Sequence, residues 1–172
     1  MFEISIDFDK DVGSEVLKMF KGELKTLEKL EDQRAEVGVF TEGRRDDGKS
    51  NFEIAKAHEY GDIKKHIPQR SFLAQPLVDG SYESMLGKEN IKVDLRLISK
   101  LASVFLKAVK EEFKTNGHGE WAPLSPKTER KKNKNRSQLL RDTRQLYKAL
   151  NKKEYNIKTD ETYQTITDFY MF

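Results

Sequence analysis

Two loop-like segments of unusual composition flank one long helical pattern, and they constrain the fold more than any other feature. The first runs from His58-Glu59-Tyr60-Gly61 to Ile67-Pro68-Gln69-Arg70-Ser71-Phe72-Leu73, and the second is Trp121-Ala122-Pro123-Leu124-Ser125-Pro126-Lys127-Thr128. Loops normally accept almost any polar residue. Segments that combine aromatic, Pro, Gly and Arg positions are therefore expected to adopt a particular backbone geometry or to bind a partner. We therefore expect a docking surface.

The residues best suited to anchor such a surface are large aromatics, Arg and Pro, because these side chains dominate protein interfaces. Trp121 is the only tryptophan of the chain and fits a core position and a partner-facing one about equally well. The predicted subunit or partner interface consists of Tyr60, Pro68, Arg70, Phe72 and Trp121.

Between the two segments, apolar residues recur at helical spacing over residues 91–113. They predict a central helix of about 23 residues, roughly 35 Å long. Its apolar stripe consists of Ile91, Leu95, Ile98, Leu101, Ala102, Phe105, Val109 and Phe113. Asn116-Gly117 is typical of a left-handed helix end and should terminate it.

Other patterns predict strands and a second long helix. Apolar and polar residues alternate over 2–8, which indicates a strand, and apolar residues at spacings of three and four predict an amphipathic helix over 14–31. Val37 and Val39 indicate another strand, as does the aromatic, β-branched run 163–172. Because an unpaired strand of this last kind would aggregate, we expect it to join the sheet or a neighbouring subunit.

Shorter elements are marked by their caps and breakers. Ser50 and Glu53 form a capping-box spacing, which predicts a short helix that carries His58 and ends at Gly61. Pro76 and Gly80 make the stretch 71–86 a broken helix. Ser125-Pro126 predicts the start of a short basic helix, followed by a turn and helix over 138–150, whereas 41–50 has the composition of an exposed loop.

These elements predict an α+β fold in which an antiparallel or mixed β-sheet is packed by the long central helix and shorter helices. With 172 residues the chain is long enough for one domain and too short for two comfortable ones. We expect a single domain over 1–172, with its core in about 1–113 and a basic helix and C-terminal strand region in about 120–172.

Composition excludes several functions. The chain has no cysteine, which rules out disulfides, thiol nucleophiles and zinc-thiolate sites. No apolar run approaches the roughly 20 residues needed to cross a bilayer, and the amino terminus lacks a signal pattern. We expect a protein made in the cytoplasm, without a membrane partner.

No catalytic or metal-binding constellation is evident. His58 and His66 have the wrong spacing for a shared metal, and His58-Glu59 lacks the second histidine that a zinc-hydrolase helix carries four residues later. Phosphate loops, dinucleotide-binding glycines and nucleophile elbows are also missing. The sequence therefore predicts no enzyme activity, no metal site and no cofactor.

Charge is distributed unevenly along the chain. The net charge is +3, but the segment from Lys127 to Lys153 carries +9 and the remainder −6. The residues expected to contact DNA or an acidic partner are Lys127, Arg130, Lys131, Lys132, Lys134 and Arg136. Such a segment can neutralise phosphates without reading sequence, it can pack against the acidic part of an identical subunit, or it can simply be solvated. We favour subunit packing, because the compensating charge lies in the same chain.

The order of the motifs resembles that of a family of tailed-bacteriophage proteins for tail completion or virion morphogenesis, which act in the neck where head and tail join. The resemblance rests on Ala55-Lys56-Ala57-His58-Glu59-Tyr60-Gly61, the Ile-Pro-Gln-Arg-Ser-Phe-Leu run 67–73, the Trp-Ala-Pro-Leu-Ser-Pro-Lys-Thr run 121–128, and Leu139-Leu140-Arg141-Asp142-Thr143. It covers about 37–150. Arg144 departs from the pattern, because the family usually has Gly there.

The resemblance implies a non-enzymatic virion protein, located at the head-tail junction, that forms a homo-oligomeric ring such as a hexamer. Its expected partners are other copies of itself and other neck, tail-terminator or tail-tube proteins, with contact to packaged double-stranded DNA as a further expectation. The alternative is a sequence-independent DNA-binding module that uses residues 127–153.

Overall fold

The computed structural model describes residues 10–40, 48, 50–131, 139–140 and 144–156, with side chains from residue 18 onward except at position 131. The described residues form two compact units. The first holds 10–34, 92–98 and 155–156, and the second holds those within 35–91 and 99–154. The predicted strands at 2–8 and 163–172 and most of the predicted loop 41–50 lie outside the described residues.

The main element of the first unit is helix α1 (Lys10–Glu31), which confirms the predicted amphipathic helix and starts four residues before it. Of its described apolar side chains, Leu30 is buried, whereas Met19, Phe20, Leu24 and Leu27 are exposed. The apolar stripe of α1 therefore lies at the surface of the described chain.

The other elements follow in chain order. They are β1 (Gln33–Val39), α2 (Asn51–Tyr60), α3 (Gln75–Val78), α4 (Ser81–Leu86), α5 (Leu97–Thr115), α6 (Pro126–Lys131), α7 (Gln145–Ala149) and β2 (Leu150–Asn156). The strands β1 and β2 pair into a two-stranded antiparallel sheet. None of the described helices combines the length and apolar character that crossing a bilayer requires.

The α+β class and the packing of the long helix on the sheet are confirmed. Val109 and Phe113 of α5 belong to a buried cluster with Leu150 of β2, and Val37 and Val39 of β1 pack against it. The other buried members of this cluster are Ala55, Phe72, Trp121, Leu139 and Leu146.

Most short elements have the predicted caps. Ser50 and Glu53 form the capping box of α2, which ends at Gly61, and Gly80 separates α3 from α4. At the start of α6, the Ser125 hydroxyl accepts a hydrogen bond from the Thr128 N–H group at 3.3 Å. Local sequence is sufficient to predict these elements, because the contacts that stabilise their ends lie within a few residues of each other along the chain.

The central helix is shorter than predicted at its start. The Asp94 carboxylate accepts a hydrogen bond from the Arg96 N–H group, and the Asp94 carbonyl accepts one from Leu97. This turn delays α5 to Leu97, so that Ile91 precedes the helix. At the other end Asn116 has φ +56°, which confirms the predicted left-handed termination.

The described residues within 138–150 contain less helix than predicted. Leu139 and Leu140 form a turn, α7 covers only Gln145–Ala149, and Leu150 already belongs to β2. Pairing with β1 makes Leu150–Asn156 a strand, although its sequence is rich in charged and amide side chains.

Arg144 adopts the left-handed backbone conformation, with φ +57° and ψ +8°, directly before α7. The tight turn is thus made here without glycine, at a strain of about 1–2 kcal/mol for a residue with a Cβ atom. We expect Arg144→Gly to stabilise the chain by about 0.5–1 kcal/mol, the strain being partly offset by the greater backbone entropy of glycine.

Urea denaturation followed by circular dichroism measures this change. Lys148→Gly, at an exposed position inside α7, is the matched control and should instead destabilise by about 1 kcal/mol. A destabilising effect of Arg144→Gly would contradict the assignment of strain to this turn.

Candidate functional site

The carboxylate of Glu59 organises the first motif segment. Glu59 lies on α2 and is 6% exposed. It accepts four hydrogen bonds: from the Ser71 hydroxyl at 2.7 Å, and from the backbone N–H groups of Phe72, Leu73 and Ala74 at 2.9, 3.0 and 3.0 Å. Together these four bonds hold the loop before α3 against the end of α2.

Arg70 connects the first segment to the second. Arg70 is 4% exposed, and its guanidinium donates to the Ala122 carbonyl through Nε at 3.0 Å and through Nη2 at 2.8 Å, and to the Pro123 carbonyl through Nη2 at 3.2 Å. Burial lowers the pKa of Arg70 from its ordinary value. The planar, forked donor set of Arg suits this multiple contact, which Lys could not reproduce.

Trp121 packs in the core beside Arg70. Its indole N–H donates to the Ser71 carbonyl at 3.1 Å, and its ring meets Phe113 edge-on at a centroid distance of 5.8 Å. Phe113 also contacts Phe72, with ring centroids 4.9 Å apart. Glu59, Arg70, Phe72 and Trp121 together form what we call the motif clamp, which fastens the two segments to α2 and α5.

The third motif segment reaches the same place. The Asn116 side-chain carbonyl, just after α5, accepts a hydrogen bond from the Leu139 N–H group at 3.1 Å, and Leu139 is buried in the core cluster. Residues 141–143 of this segment lie outside the described residues. All three motif segments therefore meet at the C-terminal end of α5.

The predicted interface is corrected for three of its five residues. Phe72 is 0% exposed, Arg70 4% and Trp121 9%, so all three are internal to the folded chain. Tyr60, which is 73% exposed, and Pro68 remain at the surface. These three side chains pack within the chain itself.

A surface cavity of about 630 Å³ opens beside Tyr60 at the end of α2. It is lined by Glu53, Ile54, Lys56, Ala57, His58, Tyr60, Gly61, Asp62, Lys65 and Ile67. Gly61 has φ +75°, and a Cβ atom there would lie 3.1 Å from the Gln69 backbone nitrogen, so glycine is required at this close approach. A hydrogen bond from Lys65 is the main cause that lowers the pKa of Asp62.

A cluster that sequence spacing did not indicate lies where α3 and the end of α5 meet. It contains Asp79, Glu112 and His118. His118 Nε2 lies 3.1 Å from Glu112 Oε1 and 4.0 Å from Asp79 Oδ2. Burial is the largest influence on Glu112 and raises the pKa of its carboxyl, while His118 acts in the opposite direction.

Of the six basic residues expected to contact DNA or an acidic partner, the structure describes the side chains of two. Lys127 and Arg130 are exposed on α6. The side chain of Lys131, and Lys132, Lys134 and Arg136 altogether, lie outside the described residues. Lys127 and Arg130 are therefore accessible to an anionic partner.

Comparison with protein-family models, with curated proteins and with solved structures found no match to this chain.

The Glu59 hydrogen bonds lead to a stability prediction. Glu59→Gln keeps the shape of the side chain but replaces one acceptor oxygen by an NH₂ group. Because NH₂ is itself a donor, it cannot accept hydrogen bonds from the backbone N–H groups that face this position. We expect the free energy of unfolding to fall by about 2–3 kcal/mol, because bonds to a charged acceptor are strong and a buried donor is left unsatisfied.

Urea denaturation is the measurement, with Glu83→Gln on the exposed face of α4 as the control. That variant should stay within about 0.5 kcal/mol of the original chain. Equal stability of both variants would mean that the Glu59 bonds contribute nothing to folding.

Proposed function

We propose that this protein is a structural subunit of the head-tail junction of a tailed bacteriophage, where it takes part in tail completion or neck assembly as a homo-oligomeric ring. The observation that carries the proposal is the joint order of its motif segments, which the motif clamp gathers into one scaffold. Fold alone does not determine function, so the proposal depends on these particular residues.

Two exposed apolar features support a role in assembly. One is the loop after α2, where Ile63 is 93% exposed and Pro68 is exposed as well. The other is the exposed stripe of α1, where Met19, Leu27 and Val93 line a groove of about 490 Å³. Contiguous exposed apolar surface is typical of protein interaction sites.

In the proposed ring, these exposed surfaces of each subunit are covered by the neighbouring subunit. Closed rotational symmetry brings two different patches of the same chain together at every interface. The +9 segment and the −6 remainder provide a complementary pair of charges for such head-to-tail packing. Other neck, tail-terminator or tail-tube proteins are the proposed partners on the two open faces of the ring.

The experiment that tests the ring is the mass of the purified chain as a function of concentration, measured by light scattering. We expect the mass to rise to that of a closed ring, and to remain that of one subunit in the variant Phe20→Ser/Leu24→Ser. Thr26→Ser, on the same helix, is a control that should leave assembly intact. A variant that is monomeric because it is unfolded would instead show that the stripe of α1 belongs to the core.

The experiment that tests the place in the virion is silencing of the gene during infection. Packaged heads and free tails should then accumulate separately in electron micrographs, because the junction between them is missing. Normal particle yield without the protein would refute the proposal.

The second proposal is sequence-independent DNA binding, favoured by the exposed Lys127 and Arg130 of α6. Binding to phosphates releases counterions, so the affinity for duplex DNA should fall with salt at a logarithmic slope of roughly −0.9 per phosphate contacted. The substitution of Arg130, Lys131 and Lys132 by Glu separates the two functions. Rings that persist while DNA binding is lost would favour the second proposal over charge-driven subunit packing.

A further inference from the structure

We propose that Asp79, Glu112 and His118 form a binding site for one divalent transition-metal cation, with Zn²⁺ as the best-fitting ion. The three residues each offer one ligand atom, and these atoms all lie within 4.8 Å of one another. Imidazole nitrogen and carboxylate oxygen are ordinary zinc ligands, and sites with three protein ligands leave a further position for water. The site does not depend on the proposed role in assembly.

Glu112 is the residue that most needs a cation. Its side chain is 0% exposed, and apart from the 3.1 Å approach of His118 Nε2 to Oε1, neither carboxylate oxygen has a hydrogen-bond partner in the described part of the chain. Buried polar groups in proteins nearly always have hydrogen-bond partners, and buried charges are paired or bind metals. The contact with His118 Nε2 engages only Oε1, which leaves Oε2 without a donor.

Glu59 shows what a purely structural buried carboxylate looks like in the same unit. It is buried to a similar degree and accepts four hydrogen bonds from donors placed around it. Glu112 is surrounded differently: besides His118, the charged groups that act on it are Asp79 and Glu120, both acidic. This excess of negative charge favours a divalent cation over a further hydrogen-bond donor.

The distances are close to those that a bound metal requires. Ligand atoms about 2.0–2.2 Å from Zn²⁺ at tetrahedral angles lie about 3.3–3.6 Å from each other. The Glu112 Oε1 to His118 Nε2 distance is 3.1 Å, whereas the His118 Nε2 to Asp79 Oδ2 distance is 4.0 Å and must shorten. The side chain of Asp79 is 25% exposed, so a small rotation of its carboxylate can close this gap.

The backbone holds two of the ligands in place. Asp79 Oδ1 accepts a hydrogen bond from the Ser81 N–H group at 2.8 Å, which leaves Oδ2 for the cation. His118 has φ +53°, and its N–H group donates to Thr115 Oγ1 at 3.0 Å, so the turn after α5 fixes the position of the ring. Such supporting contacts orient ligands in known metal sites.

The ligand set distinguishes Zn²⁺ from harder cations. Mg²⁺ and Ca²⁺ need about six or more oxygen ligands in their coordination shell and gain little from imidazole. The His118 ring is 43% exposed and keeps the site accessible to an entering ion and to a coordinated water molecule. We therefore expect saturable binding of Zn²⁺ and no comparable binding of Mg²⁺.

The test is calorimetric titration of the full, chelator-treated chain with zinc chloride, together with the shift of its melting temperature. We expect one Zn²⁺ per chain and a higher melting temperature with zinc than without it. Glu112→Gln, which keeps shape but loses charge, should abolish both effects. Asp79→Asn and His118→Ala should each weaken binding by roughly 10–100-fold or more.

His66→Ala is the matched control, because His66 is exposed and has the same φ of +53° as His118. It should bind zinc like the original chain, and magnesium chloride should produce no melting shift in any variant. If Glu112→Gln fails to fold, the zinc titration of Asp79→Asn becomes the deciding measurement. The side chain of Asp79 is partly exposed, so this substitution should leave the fold intact. Absence of saturable binding by the original chain, or binding that survives both Asp79→Asn and His118→Ala, would overturn the proposal.

Discussion

Replacing Phe72 by Ala is expected to lower the free energy of unfolding by about 3–5 kcal/mol, because a fully buried aromatic side chain leaves a cavity that the core refills only partly. Phe72 contacts Phe113 and lies in the same cluster as Trp121, both of which lose packing. The measurement is urea denaturation followed by circular dichroism. An unchanged dependence of the free energy of unfolding on urea concentration is the check on two-state behaviour.

Tyr60→Ala is the companion variant, because the two residues come from the same motif segment but differ in burial. Tyr60 is 73% exposed, so its removal should change stability by no more than about 0.5 kcal/mol. Under the proposed function, Tyr60→Ala should reduce assembly while the single chain remains folded. A stable Phe72→Ala chain would place this side chain at a surface after all.

Replacing Gly117 by Ala should lower the free energy of unfolding by about 2–5 kcal/mol. A Cβ atom on Gly117 would lie 2.3 Å from two atoms of the Trp121 ring, which has no room to move because it is buried and hydrogen-bonded to Ser71. The expected loss combines about 1–2 kcal/mol for a left-handed non-glycine residue with about 1–3 kcal/mol for overpacking.

Gly119→Ala separates these two contributions. Gly119 has φ +86°, but a Cβ atom there would meet nothing within 4 Å, so only the backbone strain remains. Trp121 is the single tryptophan of the chain, and its fluorescence should change in Gly117→Ala but not in Gly119→Ala. Equal losses in the two variants would contradict the proposed collision with Trp121.

The parts of the fold that could be predicted from sequence are those fixed by nearby residues. The capping box at Ser50, the break at Gly80 and the cap at Ser125 all follow from local chemistry. By contrast, the strand at Leu150–Asn156 depends on pairing with β1, more than a hundred residues earlier, and its charged composition gives no strand signal.

The sequence indicated which aromatic and Arg residues of the motif segments would matter. It did not indicate whether they face a partner or the core of the chain. Aromatic and Arg side chains in loops suit an interface and a core equally, and the acceptors of Arg70 are backbone carbonyls, which leave no trace in a sequence. The acid and histidine cluster gave no signal either, because Asp79 and Glu112 are brought together only by tertiary packing.

The motif clamp also constrains the order in which a newly made chain can fold on the ribosome. Glu59 can bind the N–H groups of Phe72 and Leu73 as soon as both have emerged, because only a short loop must close. Arg70 must wait for Ala122, 52 residues later, and α5 has to be synthesised in between. Until then the Arg70 guanidinium lacks these acceptors, so the first segment is fastened to the second only after the second has left the exit tunnel.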